Sequence, residues 1–104
     1  MTKYIFNTPV LTDYGDYRFT RIDLEEAKKI AQDAVSAIGH RGAADALSQI
    51  LGVEVKTKRM EVKMMPGDIA LVFRLMARLP EGAILDGEDT LKMPYELAKL
   101  ERIA

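Results

Sequence analysis

The segment "IALVFRLMARL" (residues 69–79) most constrains the fold, because it is apolar almost throughout. A strand with one solvated face alternates apolar and polar residues, whereas a strand covered on both faces is apolar at consecutive positions. The segment therefore predicts a central strand of a sheet with a covering layer on each side. Arg74 and Arg78 interrupt it, and their spacing places both side chains on one face of a strand. An unpaired guanidinium in a core is costly, so both are expected to bind carboxylate or phosphate groups.

Two segments have the patterns of helices that could cover such a sheet. Asp23 followed by Glu26 is a capping box, and it predicts a helix through "LEEAKKIAQDA" (residues 24–34). A second helix is predicted from about Gly42 to Leu51, where Gly52 would supply a left-handed cap. Helices combined with a buried strand indicate an α/β protein.

Four further segments complete the predicted sheet. "KYIF" (3–6) predicts a short strand that ends before Pro9, and "YRFTRI" (17–22) predicts a second strand. "RMEVKM" (59–64) alternates and predicts a half-buried strand, joined through the "MPGD" turn to the apolar strand as a hairpin. "YELAKLERI" (95–103) is ambiguous between helix and strand, and we favour a strand. The expected fold is a single α/β domain over residues 1–104, with a mixed sheet of about five strands flanked by helices.

Composition excludes several classes of function. The 104 residues include no cysteine and one histidine, and the net charge is −1. Disulfides, thiolate metal sites and cysteine nucleophiles are therefore excluded, and a zinc site within one chain is not expected. The balanced charge argues against a duplex nucleic-acid partner, so phosphate recognition would need a local cluster of arginines. No signal peptide or membrane-spanning segment is recognisable, which predicts a cytoplasmic protein without a membrane partner. No cofactor is expected.

The only histidine, His40, lies in "VSAIGHRGAAD" (residues 35–45), between Gly39 and Gly42. It is open to two interpretations, an ordinary structural residue or a functional one. Glycine lets the backbone approach a ligand closely, which favours the second interpretation. A helix that begins just after His40 would also place its first N–H groups, an anion site, beside the imidazole.

Two other kinds of residue are open to the same choice. Arg59, Arg74 and Arg78 are either solvated strand residues or phosphate contacts. Glu81, in the break "RLPEG", is either a loop carboxylate or a group that orients an imidazole or an attacking hydroxyl.

Five segments, in order along the whole chain, carry a resemblance: "YIFNTPVLT", "SAIGH" before a helix, "ILGVEVKTKRMEVKM", "GDIALVFRLMARLPEG" and "YELAKLERI". Together they resemble the viral type III anti-CRISPR ring nucleases. The resemblance implies a saddle-shaped homodimer built around a mixed sheet. It also implies cleavage of cyclic tetra-adenylate, the second messenger of type III CRISPR systems, into linear fragments with 2′,3′-cyclic phosphate ends. The ribose 2′-hydroxyl would be the nucleophile, so neither a metal nor a nucleophilic side chain is needed.

The resemblance further implies roles for single residues. His40 is implied as the general acid, and Glu81 as the residue that assists it. Implied ligand or phosphate contacts fall on Asn7, Arg59 and Arg78, and the expected binding set also includes Ser36, Gly39, Arg41 and Arg74.

One position departs from the family pattern. Ala43 stands where a hydroxyl residue is usual, and Arg41 is the expected replacement contact to phosphate. Two other functions stay open beside the ring nuclease. One is a sponge that binds the ring without cutting it, and the other is a nucleic-acid-binding regulator.

Overall fold

The computed structural model describes residues 2–7, 13–75 and 95–104. Within these ranges the chain forms five strands and two helices: β1 (Lys3–Phe6), β2 (Tyr17–Arg21), α1 (Leu24–Ala31), β3 (Val35–Ser36), α2 (Arg41–Leu51), β4 (Ile69–Leu75) and β5 (Tyr95–Arg102). The prediction of one α/β domain with a five-stranded mixed sheet is confirmed, and β5 is a strand, as favoured.

The sheet has the strand order β2-β5-β4-β1-β3. Strands β3, β1 and β4 are parallel, while β5 is antiparallel to both β4 and β2. Parallel strands end at a common edge, so the residues that follow β1 and β3 lie at the same edge of the sheet. Ligands of α/β proteins bind characteristically beyond such carboxyl ends.

Both helices pack on one face of the sheet and form a core with it. The sheet contributes Ile5, Leu71, Phe73 and Leu97 to this core, and the helices contribute chiefly Ala27, Ile30, Ala43, Ala44 and Leu47. Four of these helix residues and Phe73 are at most 2% exposed. Small side chains on both helices therefore allow them to lie close to the sheet.

The opposite face is covered by an irregular segment, and this corrects the hairpin predicted for residues 59–64. Val62 and Met64 are buried against Phe6, Val72 and Leu100, but residues 58–65 form no strand. Both edges of β4 are already paired, with β1 on one side and β5 on the other. The segment therefore lies across the sheet, and its alternation reflects residues that point towards or away from that face.

Helix α1 is shorter than predicted. Its N-cap is Asp23, as expected, but the helix ends at Ala31 instead of continuing to residue 34. Asp33 has a left-handed φ of 62°, which turns the chain so that Val35 can pair with Tyr4 of β1. The two-residue strand β3 was not predicted, because its length gives no periodic pattern.

The start and end of α2 agree with the prediction to within one residue, and Gly52 is a left-handed cap with a φ of 73°. The turn predicted at residues 65–68 is also present, with Gly67 at a φ of 95°. The buried carboxylate of Asp68 anchors it by accepting hydrogen bonds from the N–H groups of Met65 and Thr2, at 2.8 and 2.9 Å.

The central strand is buried on both faces from Ala70 to Phe73, but Arg74 is exposed. The prediction of burial on both faces is therefore confirmed from Ala70 to Phe73, and residues 76–79 of the predicted strand lie outside the described residues. In the ranges that the structure describes, no helix is both long and apolar enough to cross a membrane.

Candidate functional site

His40 is the N-cap of α2. Its backbone is extended, with φ −114° and ψ 119°, and its Nδ1 accepts a hydrogen bond from the backbone N–H of Ala43 at 3.2 Å. A ring nitrogen that accepts carries a lone pair, so a neutral ring in this position carries its proton on Nε2. Among the described residues the imidazole makes no second hydrogen bond. The cap thus fixes one nitrogen and leaves Nε2–H as a donor.

The two helices begin in opposite ways. Helix α1 has an aspartate cap, Asp23, which accepts from the N–H of Glu26 at 2.9 Å, and it has Glu25 and Glu26 in its first turn. Helix α2 has an imidazole cap and no acidic residue in its first turn. Carboxylates near a helix N-terminus stabilise the positive end of the helix dipole. The start of α2 lacks this stabilisation and is left electropositive.

Arg41, the first residue of α2, strengthens this electropositive character. Its side chain is 88% exposed, and its Nε lies 3.8 Å from a carboxylate oxygen of Asp45, one turn along the helix. A pair this long between exposed groups contributes little to stability. The guanidinium is therefore available to an anionic ligand. It also adds a positive charge to the end of the helix that the dipole already makes positive.

Arg59 lies directly against Gly39. A Cβ atom built on Gly39 would be 3.3 Å from Nε and 3.4 Å from Cβ of Arg59. A side chain at residue 39 would thus press on Arg59, and glycine permits the close approach. Within the described ranges the guanidinium of Arg59 has no hydrogen-bonded or ion-paired partner. The structure therefore brings together Gly39, His40 and Arg59, all of which the sequence singled out.

Ser36 lies at the end of β3, and its hydroxyl binds backbone. Its Oγ donates to the carbonyl oxygen of Lys56 at 2.6 Å and accepts from the N–H of Ile38 at 3.4 Å. This places Ser36 on the same segment as His40, but with its hydroxyl proton already used.

Asn7 follows β1 at the edge where the parallel strands end, and it is half-buried. The neighbouring N–H of Ala37 donates to the carbonyl oxygen of Ile5 at 2.9 Å, so the chain leading to His40 passes beside the end of β1. The structure thereby places Asn7 and the residues before His40 at the same end of the sheet.

Arg74 lies on the other face of the sheet. Phe73 belongs to the helix-side core and Val72 to the opposite one, so alternation directs Arg74 away from the helices. It is opposite Glu96 in the register of β4 and β5, and Glu96 pairs with Arg21 at 3.2 Å. Arg74 is therefore not on the face of His40. The other two expected site residues, Arg78 and Glu81, lie outside the described residues.

An open groove of about 750 Å³ borders the site and was not anticipated from the sequence. It lies between α2 and residues 53–57, and Arg41 and Lys56 are among its lining residues. The segment is held against α2 by Ser48, whose Oγ accepts from the N–H of Val55 at 2.8 Å. Ser48, a serine within a helix, was the one sequence feature that could have indicated this groove. The sequence does not show which segment the hydroxyl of Ser48 binds.

The arrangement can act on an anion without a metal. It offers an N–H donor on the imidazole, two guanidinium groups and the positive end of a helix. Within the described part of the chain, no three His, Cys, Asp or Glu residues are placed to hold a metal ion together.

Comparison with known proteins places the chain among viral and bacterial relatives. Residues 3–97 match the STIV B116-like family. ORF117 of Acidianus two-tailed virus is 38% identical over 108 residues, covering 96% of this chain and 92% of the viral protein. YddF of Bacillus subtilis strain 168 is 31% identical over 101 residues, covering 93% of this chain and 94% of the bacterial protein. Both are named as uncharacterised proteins.

The same relation extends to three-dimensional structure. The solved structure of B116 of Sulfolobus turreted icosahedral virus matches this fold with a TM-score of 0.77, covering 98% of this chain and 100% of B116. The sequence identity of that pair is 21%, so this likeness establishes the shared fold. From the match over residues 3–97 and the extended identity to ORF117, we conclude that the chain belongs to the STIV B116-like family.

Proposed function

We propose that this protein is a metal-independent ring nuclease that binds and cleaves cyclic tetra-adenylate, and so ends the signal that activates type III CRISPR effectors. The observation that carries the proposal is the position of the only histidine. His40 stands at the electropositive start of α2, and Arg59 lies against the residue before it.

The reaction needs only groups that the substrate and the chain contain. The ribose O2′ attacks the adjacent phosphorus and forms a P–O2′ bond while its proton passes to solvent. The P–O5′ bond breaks, its electron pair remains on O5′, and the imidazolium form of His40 gives that oxygen its Nε2 proton and becomes neutral. The products are a 2′,3′-cyclic phosphate end and a 5′-hydroxyl end. A positioned acid contributes roughly 10²–10⁴-fold to such a step.

The second requirement of the reaction is to stabilise the negative charge that develops on the phosphate. Arg41 directly follows His40 in the sequence, Arg59 contacts Gly39, the residue before it, and Arg78 is the further contact implied by the family resemblance. The first intrahelical bond of α2 runs from the N–H of Ala44 to the carbonyl oxygen of His40 at 3.0 Å. The N–H groups of residues 41 and 42 precede it and supply donors to a developing negative charge.

A homodimer fits the symmetry of this substrate. A ring of four identical nucleotides has two-fold symmetry, and two copies of the chain present one imidazole to each of two opposite phosphates. The protein would act in the cytoplasm of a prokaryotic or infected cell, where the messenger is made.

The direct test is incubation with labelled cyclic tetra-adenylate in excess EDTA, followed by mass analysis of the products. We expect linear fragments with 2′,3′-cyclic phosphate ends, formed at the same rate with and without chelator. The matched control, His40→Ala, should leave the ring intact. Activity that disappears in EDTA and returns with magnesium or manganese would contradict the mechanism.

A second function, a sponge that binds the ring without cutting it, is favoured by two observations. Nδ1 of His40 accepts a hydrogen bond, whereas an acidic imidazolium carries protons on both nitrogens. Protonation therefore breaks the cap on α2. Ala43, where the family has a hydroxyl residue, is also 2% exposed and belongs to the core. In the incubation above, a sponge returns the ring intact while binding it tightly.

A further inference from the structure

We infer that Ser36 and Gly39 are positioning residues that fix Arg59 beside His40. The inference deepens the proposed function and rests on it, because it assigns these two residues a role in ligand binding that acts through Arg59. Both residues were expected to touch the ligand themselves, and the contacts around them support a different role.

A short parallel pairing joins the segment before His40 to the segment before Arg59. Ile38 forms a bridge with Thr57, and the N–H of Lys58 donates to the carbonyl oxygen of Ile38 at 2.7 Å. The pairing is isolated from the five-stranded sheet, so few backbone bonds hold it. Its register decides which residue of the second segment lies beside His40.

Ser36 adds a side-chain bond to this pairing. Its Oγ donates to the carbonyl oxygen of Lys56 at 2.6 Å, two residues before Lys58. A hydroxyl has one proton, and that proton is used here. Phosphate oxygens accept hydrogen bonds, so Ser36 cannot donate to a phosphate while it holds Lys56. Its contribution to binding an anion therefore passes through the segment it anchors.

Gly39 determines how closely the side chain of Arg59 can approach. The stem of Arg59 occupies the space beside Cα of Gly39, and an added Cβ would lie 3.3–3.5 Å from three atoms of the arginine. The contact with Nε, at 3.3 Å, is tight and requires this atom to move by a few tenths of an ångström, which the exposed Arg59 side chain can do. A side chain at residue 39 would therefore move the guanidinium relative to His40 without disturbing the core.

The first experiment needs no ligand. Hydrogen exchange of the Lys58 amide should accelerate by about fivefold or more in Ser36→Ala, because the bond to Ile38 opens more often. Ser36→Thr retains the hydroxyl and should restore slow exchange. The matched control is Thr20→Ala, which removes an exposed hydroxyl from β2 and should change exchange at Lys58 by less than about twofold. Unchanged exchange in Ser36→Ala would overturn the inference, whether or not the protein binds the ring.

The second experiment measures binding of fluorescent cyclic tetra-adenylate in a His40→Ala background, where the ring is not cut. Ser36→Ala and Gly39→Ala should each weaken binding by about fivefold, and by less than about twofold when Arg59 is already alanine. Additive losses would overturn the inference, because they would show that residues 36 and 39 contact the ligand directly. If the starting protein does not bind the ring, the proposed function fails, and the exchange experiment still decides whether Ser36 holds the segment of Arg59.

Discussion

The Nδ1 atom of His40 accepts a hydrogen bond from the N–H of Ala43 at 3.2 Å, so the only imidazole of the chain also caps its second helix. Histidine is not among the residues that cap helices best, which are asparagine, aspartate and serine. A poor cap followed by an arginine is a costly way to begin a helix. The proposed role of His40 as the general acid would account for this compromise, because the imidazole would then be needed here despite its cost to stability.

Replacing the imidazole by a better cap separates its capping of α2 from its proposed action as the general acid. His40→Asn should raise the free energy of unfolding by about 0.5–1 kcal/mol, because the amide oxygen caps α2 more effectively. It should also lower the cleavage rate on the order of 10²-fold or more, with the affinity for the ring nearly unchanged, because the acid is lost while the cations remain. Thermal unfolding, single-turnover kinetics and equilibrium binding measure the three effects.

His40→Ala is the matched control for that variant. It loses both the cap and the acid, so it should be less stable than the native protein and equally inactive. A His40→Ala protein that unfolds at lower temperature yet cuts the ring at the normal rate would show that His40 is only structural.

The elements of this fold were predictable where the local pattern determines the structure. The capping box at Asp23, the left-handed cap at Gly52 and the run from Ile69 each gave the correct element. The segment at residues 59–64 alternates like a strand, but the edges of β4 are occupied by β1 and β5. Which segment pairs with the edge of a strand depends on all the strands of the sheet, so it cannot be predicted from the sequence of one segment.

Single residues of the candidate site could be predicted from the sequence, but their positions relative to one another could not. His40 was identified by its uniqueness and by its flanking glycines. The contact between Gly39 and Arg59 depends on a pairing of two irregular segments, which has no sequence periodicity. Arg74 was expected beside the ligand, yet strand alternation places it on the face away from α2, opposite Glu96.

Arg59 should act on binding as well as on cleavage. Arg59→Ala should weaken affinity for cyclic tetra-adenylate by about 10-fold or more and reduce the cleavage efficiency to a similar extent, because a phosphate contact acts in the ground state and the transition state alike. The effect should diminish at high salt. Arg21→Ala is a matched control, since this exposed arginine pairs with Glu96 on the face away from His40. Equal effects of the two variants would contradict the role of Arg59.

Lys99 provides a test of the fold that does not depend on the proposed function. Its Nζ donates to Oε1 of Glu26 at 3.0 Å, which joins β5 to α1, and lies 3.8 Å from Glu101. The hydrogen bond with Glu26 is the main reason that the pKa of Lys99 is raised above its ordinary value of 10.5, against the opposing effect of burial.

A raised pKa in the folded state fixes the direction of the pH dependence. The stabilisation is fully present below the ordinary lysine pKa of 10.5, which holds in the unfolded chain, and is lost as the pH rises through the higher folded pKa. Lys99→Met should therefore lower the free energy of unfolding by at most about 1 kcal/mol at pH 8. The difference from the native protein should shrink as the pH is raised from about 8 to about 11, past the ordinary lysine pKa. Urea unfolding at both pH values measures it, with Lys63→Met as the control at an exposed lysine. A difference that grows with pH would contradict the assignment.

Assembly is the remaining prediction, and it follows from the number of imidazoles. Each chain contains one histidine, while the proposed substrate repeats its phosphate four times. We expect a stable homodimer at micromolar concentration, with one ring bound per dimer across its two-fold axis. Light scattering gives the mass of the free protein, and titration calorimetry of His40→Ala, which leaves the ring intact, should give one ring per two chains. In dimers mixed from native and His40→Ala chains, one imidazole remains, so the cleavage rate should fall about twofold while the stoichiometry is retained. A monomer that cuts the ring at the full rate would show that one chain holds a complete site.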